Sequence, residues 1–159
     1  FTGDLATEGG AGTGVLGADA LCAEAANQAG LSNKYMAIVS GSGNTAKDRL
    51  SFQAGSSIFV VTDSDDCTTE LVSLGSELFD TSKNFSHAIN YNEYGVLTSK
   101  SVWTGTTPSG DANGACADFE DTGPFSVVGN SAATGSTWTS SFFGTACHNE
   151  LGIYCVSQD

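Results

Sequence analysis

Cys147-His148-Asn149-Glu150-Leu151-Gly152-Ile153-Tyr154-Cys155-Val156 (147–156) is the stretch on which the fold turns: two cysteines, the second inside the apolar run Gly152 to Val156. That run reads as a terminal strand. Working outward, Cys116 lies upstream in the last third, and Cys22 sits near the start on an alanine-rich helix. Linking the first of these cysteines to the last would tie the two ends of the chain together. Such a bridge removes unfolded-state loop entropy of up to roughly 4–5 kcal/mol, a large part of the about 5–15 kcal/mol by which a domain is stable.

None of the five cysteines lies in a C-x-x-C pair, and none has a histidine at metal-finger spacing. A redox motif and a zinc finger are thereby disfavoured, leaving structural disulfides formed in an oxidising compartment, which points to an extracellular or cell-surface protein. The odd cysteine is Cys67, in the acidic run Asp63-Ser64-Asp65-Asp66-Cys67. It reads as a free thiol, with intermolecular pairing as the alternative.

The 159 residues fit one domain, 1–159, with one core. Phe1 is not an initiator methionine, and neither a signal-like segment nor an apolar run of about 18 residues is present. The expectation is a processed chain or a C-terminal or tip fragment of a longer surface protein, without direct membrane insertion. Eighteen acidic against five basic residues give a net charge of −13, a potential that repels nucleic acid and anionic membranes. Abundant Gly, Ser, Thr, Asn and Asp suit many turns and ordered loops rather than a helical bundle.

Along the chain, Gly12-Thr13-Gly14-Val15-Leu16-Gly17 matches G-x-G-x-x-G, but no buried strand precedes it, so it reads as a turn-rich opening segment and not a dinucleotide loop. Ala18 to Ala29 is a helix closed by Gly30. Tyr35 to Ser40 is a strand, and Thr45 to Leu50 begins with a capping-box pattern and forms a short second helix. Ile58 to Val61 reads as a buried strand, Thr68 to Phe79 as one or two helical turns broken by Gly75, and Tyr91 to Gly95 as a turn. Ser101 to Thr104 is a strand, and Thr106 to Gly114 a loop. The fold class is α+β: short antiparallel strands, two or more helices and long ordered loops.

The cysteines and their neighbours resemble the C-type-lectin-like superfamily: a cysteine on an early helix, Cys116 in a late strand, Trp138 nine residues before Cys147, and Cys147 eight residues before Cys155 in a Leu-Gly-Ile-Tyr-Cys-Val ending. A closer similarity is to a family of bacterial surface and secreted domains with a lectin-like or endostatin-like fold. It is carried by Leu16-Gly17-Ala18-Asp19-Ala20-Leu21-Cys22, Ala46-Lys47-Asp48-Arg49-Leu50, Ala88-Ile89-Asn90 and Val102-Trp103-Thr104-Gly105. The resemblance implies the pairings Cys22 with Cys155 and Cys116 with Cys147. Sugar-binding C-type lectins hold Ca²⁺ through a Glu-Pro-Asn or Gln-Pro-Asp loop and a Trp-Asn-Asp strand. Here the corresponding segments read Thr106-Thr107-Pro108-Ser109 and Trp138-Thr139-Ser140, which lack the carboxylates a hard cation needs.

Asp63, Asp65, Asp66 and Glu70 offer carboxylates but no EF-hand glycine, and a solvated acidic loop is the preferred reading. Asp111, Asn113, Asp118, Glu120 and Asp121 gather around the long loop and could meet sugar hydroxyls or a weak cation, with solvent-exposed loop polarity the preferred reading of any single one. Trp103 and Trp138 read as core. Phe142 and Phe143 are adjacent in a Ser/Thr/Gly-rich loop and point in different directions, so one of them is a candidate binding anchor. No Ser-His-Asp order, G-x-S-x-G, H-E-x-x-H or P-loop is identifiable.

The expected function is non-catalytic: an extracellular recognition or adhesion module with no cofactor and no metal, binding a glycan or a surface protein of another cell. The expected contacts are Asp111, Asn113, Asn130, Phe142 and Phe143, on the loops 104–114 and 129–146. The competing reading is a structural cap, the tip of a bacterial surface fibre, associating with copies of itself as a trimer.

Overall fold

The structure is a computed structural model that describes residues 1–63, 68–123 and 125–158, with the backbone alone at 63, 68 and 143. Its class is mixed α+β. Helix α1 (Leu5–Gly9) is capped by Asp4, whose carboxylate accepts from the Thr7 N–H. Thr13 caps α2 (Gly14–Gln28) in the same way, accepting from Leu16 N–H. The glycine-rich opening therefore holds helix rather than loop. Gly17 is where the two helices touch: a Cβ there would sit 1.9 Å from the Leu5 carbonyl oxygen, so only glycine permits the crossing.

Strand β1 (Tyr35–Ala37) pairs antiparallel with the last strand, β8 (Cys155–Ser157). Helix α3 (Ala46–Arg49) follows, its Thr45 cap accepting from Asp48 N–H while the Thr45 hydroxyl donates to the Asp48 carboxylate. Strands β2 (Ser57–Asp63) and β3 (Thr68–Leu74) make a separate antiparallel ribbon. The expectation of helical turns over Thr68 to Phe79 thus fails for its first half. The alternating Glu70, Leu71, Val72 pairs with β2 and buries Val72, leaving only a 3₁₀ turn at Gly75–Glu77.

A four-stranded sheet runs in the order β6-β5-β4-β7, comprising β4 (Ser101–Trp103), β5 (Phe125–Asn130), β6 (Phe142–Ala146) and β7 (Gly152–Ile153). Its β4–β7 pair is parallel, a departure from the purely antiparallel expectation. The terminal run splits at Tyr154 between β7 and β8, so one short segment stitches two sheets together.

Period-two alternation decides how the core is built. Ala37 and Val39 face one apolar cluster with Leu5, Leu21, Trp103 and Phe119, while Ile38 faces a second with Leu50, Val72, Trp138 and Tyr154. Strand β4 divides likewise, Trp103 to the first and Val102 to the second. Two clusters on opposite faces of shared strands replace the single core expected.

Both disulfides join the pairs that the resemblance implied: Cys22–Cys155, with Cα atoms 5.5 Å apart, and Cys116–Cys147, at 5.7 Å. Each requires an oxidising environment to form. Cys116 opens a short turn, α4 (Cys116–Phe119), and not a strand, because Ala117, Asp118 and Phe119 take φ of 47°, 61° and 62°. Left-handed backbone costs roughly 1–2 kcal/mol per non-glycine residue. It is held here by the Cys116 bridge, by the buried Phe119 ring packed edge-on to Trp103, and by Asp118 Oδ1 accepting from Ser42 N–H at 2.7 Å. Among the described residues no helix is long and apolar enough to cross a membrane.

Candidate functional site

The residues singled out by sequence are spread over the molecule. Ser101 pairs with Asn130 at one end of the β4–β5 ladder. Past the other end, Gly105 N–H donates to the Val127 carbonyl and Asn113 N–H to Gly105. Asn130 and Asn113 therefore lie at opposite ends of the sheet. Asn130 Oδ1 is taken up by Ala132 N–H.

Phe142 and Phe143 are not in a loop but in β6, where β-propensity and pairing with Val128 and Val127 override the polar, glycine-containing neighbours. Phe142 is 62 % exposed on the open edge of the sheet. Trp103 and Trp138 are core, as expected: the Trp103 Nε1–H donates to the Phe1 carbonyl, and Trp138 packs against Phe79, Phe85 and Tyr154. The Tyr154 hydroxyl donates to the Trp138 carbonyl at 3.0 Å, and burial pushes its phenol well above the ordinary value.

Asp111 belongs to an ordered loop. Its N–H donates to Thr107 Oγ1 at 3.1 Å, and its carboxylate accepts from the Ser109 hydroxyl at 2.8 Å. Beneath this loop runs a fully buried chain of hydroxyls. Thr106 Oγ1 lies 2.6 Å from the Thr104 carbonyl and 3.0 Å from Ser40 Oγ, which accepts from Ala46 N–H at 2.8 Å. The loop is thereby fixed to the start of α3. Gly110, at φ 88°, completes the contact: a Cβ there would fall 2.7 Å from Lys47 Cβ and 2.8 Å from the Phe79 ring.

Beside that contact is an open groove of about 380 Å³, lined by Lys47, Leu50, Phe52, Ser76, Phe79 and Asp80. Sequence reasoning missed all of these as site residues, since they come from two segments distant in sequence, 47–52 and 75–80. Phe52 and Phe79 are half-buried. Phe79 is stiffened by stacking on Trp138, with centroids 6.0 Å apart and planes inclined by 27°. Lys47, Ser76 and Asp80 are exposed. The Ser82 hydroxyl and N–H both donate to Asp80 Oδ1 and, with the Lys83 charge nearby, hold its carboxyl below the usual carboxylate range.

A second, smaller hollow of about 210 Å³ lies at the start of α2, where Asp118 and Glu120 join Thr13, Ser42 and Asn44. Asp121 is separate, accepting from Thr122 N–H. Among the described residues no three His, Cys, Asp or Glu side chains come together as a metal-ligand group. Of the acidic run, Asp65, Asp66 and Cys67 lie outside the described residues. His87 Nδ1 sits 3.2 Å from the Ala88 carbonyl beside Tyr91.

One broader surface feature is apolar. Phe59 and Leu71 face each other across the β2–β3 ribbon, 53 % and 41 % exposed. No protein-family model matches the chain, and no curated protein matches it in sequence.

Proposed function

We propose that this domain is a non-catalytic extracellular recognition module of lectin-like type, binding a glycan or a surface protein of another cell without the usual lectin calcium site. The observation that carries the reading is the groove of about 380 Å³ beside Gly110. It is of ligand size, joins two aromatic rings to charged and hydroxyl groups, and adjoins a loop fixed from below by buried hydrogen bonds. Recognition commonly resides on loops held by a rigid scaffold, and the two disulfides support rigidity. The lectin-like resemblance of the cysteine pattern favours the same reading, as does the oxidising environment those bridges need.

A second reading, the oligomeric cap of a bacterial surface fibre, is favoured by the exposed Phe59–Leu71 pair and by the unpaired edge of β6 beside Phe142. Exposed edges and apolar ribbons invite association. A glycan and protein-ligand array combined with light scattering separates the two. The recognition reading predicts saturable binding by a monomer; a stable trimer that binds nothing on the array would overturn it in favour of the cap.

A further inference from the structure

We propose that the groove lined by Lys47, Phe52, Ser76, Phe79 and Asp80 takes one neutral pyranose unit of a glycan, its apolar C–H face on the two phenyl rings and its hydroxyls on the three polar side chains. The inference rests on the recognition reading above and narrows its ligand.

Charge gives the groove no preference for an ionic ligand and disfavours an acidic one. The groove holds one cation and one anion, on a chain of net charge −13. The opposed signs give the groove no net charge of its own to draw an ionic ligand, and an acidic sugar would in addition meet the negative field of the whole protein. Of the five basic side chains, Arg49 is consumed by Asp19 and Lys83 lies 3.5 Å from Glu77, while Lys34 and Lys100 lie outside the groove. Lys47 has no ion-pair partner among the described residues.

Hydrogen-bonding capacity selects hydroxyls. An ammonium only donates, an ionised carboxylate only accepts, and the Ser76 hydroxyl does both; a sugar hydroxyl, which donates and accepts, satisfies all three. Both Ser82 bonds go to Asp80 Oδ1, and Oδ2 has no hydrogen bond among the described residues. A peptide adding as a strand would need free backbone groups. Here Lys47 N–H already donates to Gly110, Gly75 N–H to Ser56 and Leu50 N–H to Ala46.

Shape agrees. The volume is near the lower end of the roughly 300–1,000 Å³ of small-ligand sites, and the half-buried rings offer flat apolar surface for the face of a sugar. Asp80 is the groove's one carboxylate, too few for a Ca²⁺ site, so binding is metal-independent.

Calorimetric titration of the whole domain in EDTA with lactose, maltose and cellobiose, against 3′-sialyllactose and digalacturonate, tests this. Phe79 also packs on Trp138, so the exposed Lys47→Met and Asp80→Asn carry the mutational arm, with Lys34→Met as a charge control. Expected is binding of at least one neutral disaccharide, weakened about tenfold by Lys47→Met and by Asp80→Asn and unchanged by Lys34→Met. Preference for an acidic sugar, binding that appears only when calcium replaces the EDTA, or wild-type affinity in both groove variants would overturn the inference while leaving recognition elsewhere on the surface intact. Absence of binding by all five sugars also overturns it; the recognition reading falls with it only when the wider array is blank as well.

Discussion

Asp19 and Arg49 sit in two stretches that carried the family resemblance, and each is used structurally. Arg49 Nη2 meets both Asp19 oxygens at 2.6 and 2.7 Å, while Nη1 donates to the Ala37 and Val39 carbonyls and Asp19 also accepts from Ala37 N–H. One partly buried pair thus joins α2, β1 and α3. Removing one partner leaves the other charge and two carbonyls uncompensated, so Arg49→Ala is expected to cost about 2–4 kcal/mol by urea denaturation. A loss under about 0.5 kcal/mol, the range of an exposed pair, would deny that role. Ala117 gives a prediction of opposite sign. At φ 47° its Cβ is a burden, and Ala117→Gly should stabilise by roughly 0.5–1 kcal/mol, the relieved strain exceeding the added unfolded-state entropy. A lower melting temperature would mean that the left-handed turn is not strained.

At the scale of elements, sequence reading succeeded where a local signal coincided with a tertiary one. The Thr45 cap and the alanine-rich run of α2 are visible because capping and helix propensity act within a few residues. Strands β3, β5 and β6 were not legible, since their stability comes from cross-strand partners distant in sequence, as Val127 and Val128 show opposite β6. The groove was illegible for the same reason: Lys47, Phe52 and Phe79 have no common spacing until α3 and the Gly75–Glu77 turn come together. The glycine-rich opening misled because a glycine required for helix contact looks like one required for a loop. In an unconstrained helix Gly17→Ala would gain about 1 kcal/mol. Against the Leu5 carbonyl it should instead lose about 1–3 kcal/mol, readable as a drop in the thermal midpoint, and a gain would refute the backbone contact between α1 and α2.

Over the whole molecule, the cysteine framework was the most legible feature, and its pairing was implied by the resemblance of the cysteine pattern to the lectin-like superfamily, since count and spacing alone leave the partners open. The bridges span 133 and 31 residues, for which loop closure contributes roughly 5 and 4 kcal/mol. Replacing Cys22 and Cys155 together by serine should therefore cost about 1 kcal/mol more than replacing Cys116 and Cys147, a gap that release of the strained α4 turn would widen; parallel denaturation curves showing the reverse order would contradict this. The central claim is that this braced scaffold presents the groove beside Gly110 as its recognition site. The most direct measurement is a crystal structure of the domain with the tightest ligand from the array. The account predicts that ligand in contact with Phe79, Lys47 and Asp80, with the Thr107–Asp111 loop unmoved; a ligand seated on the β2–β3 ribbon or the β6 edge, with the groove unoccupied, would contradict it.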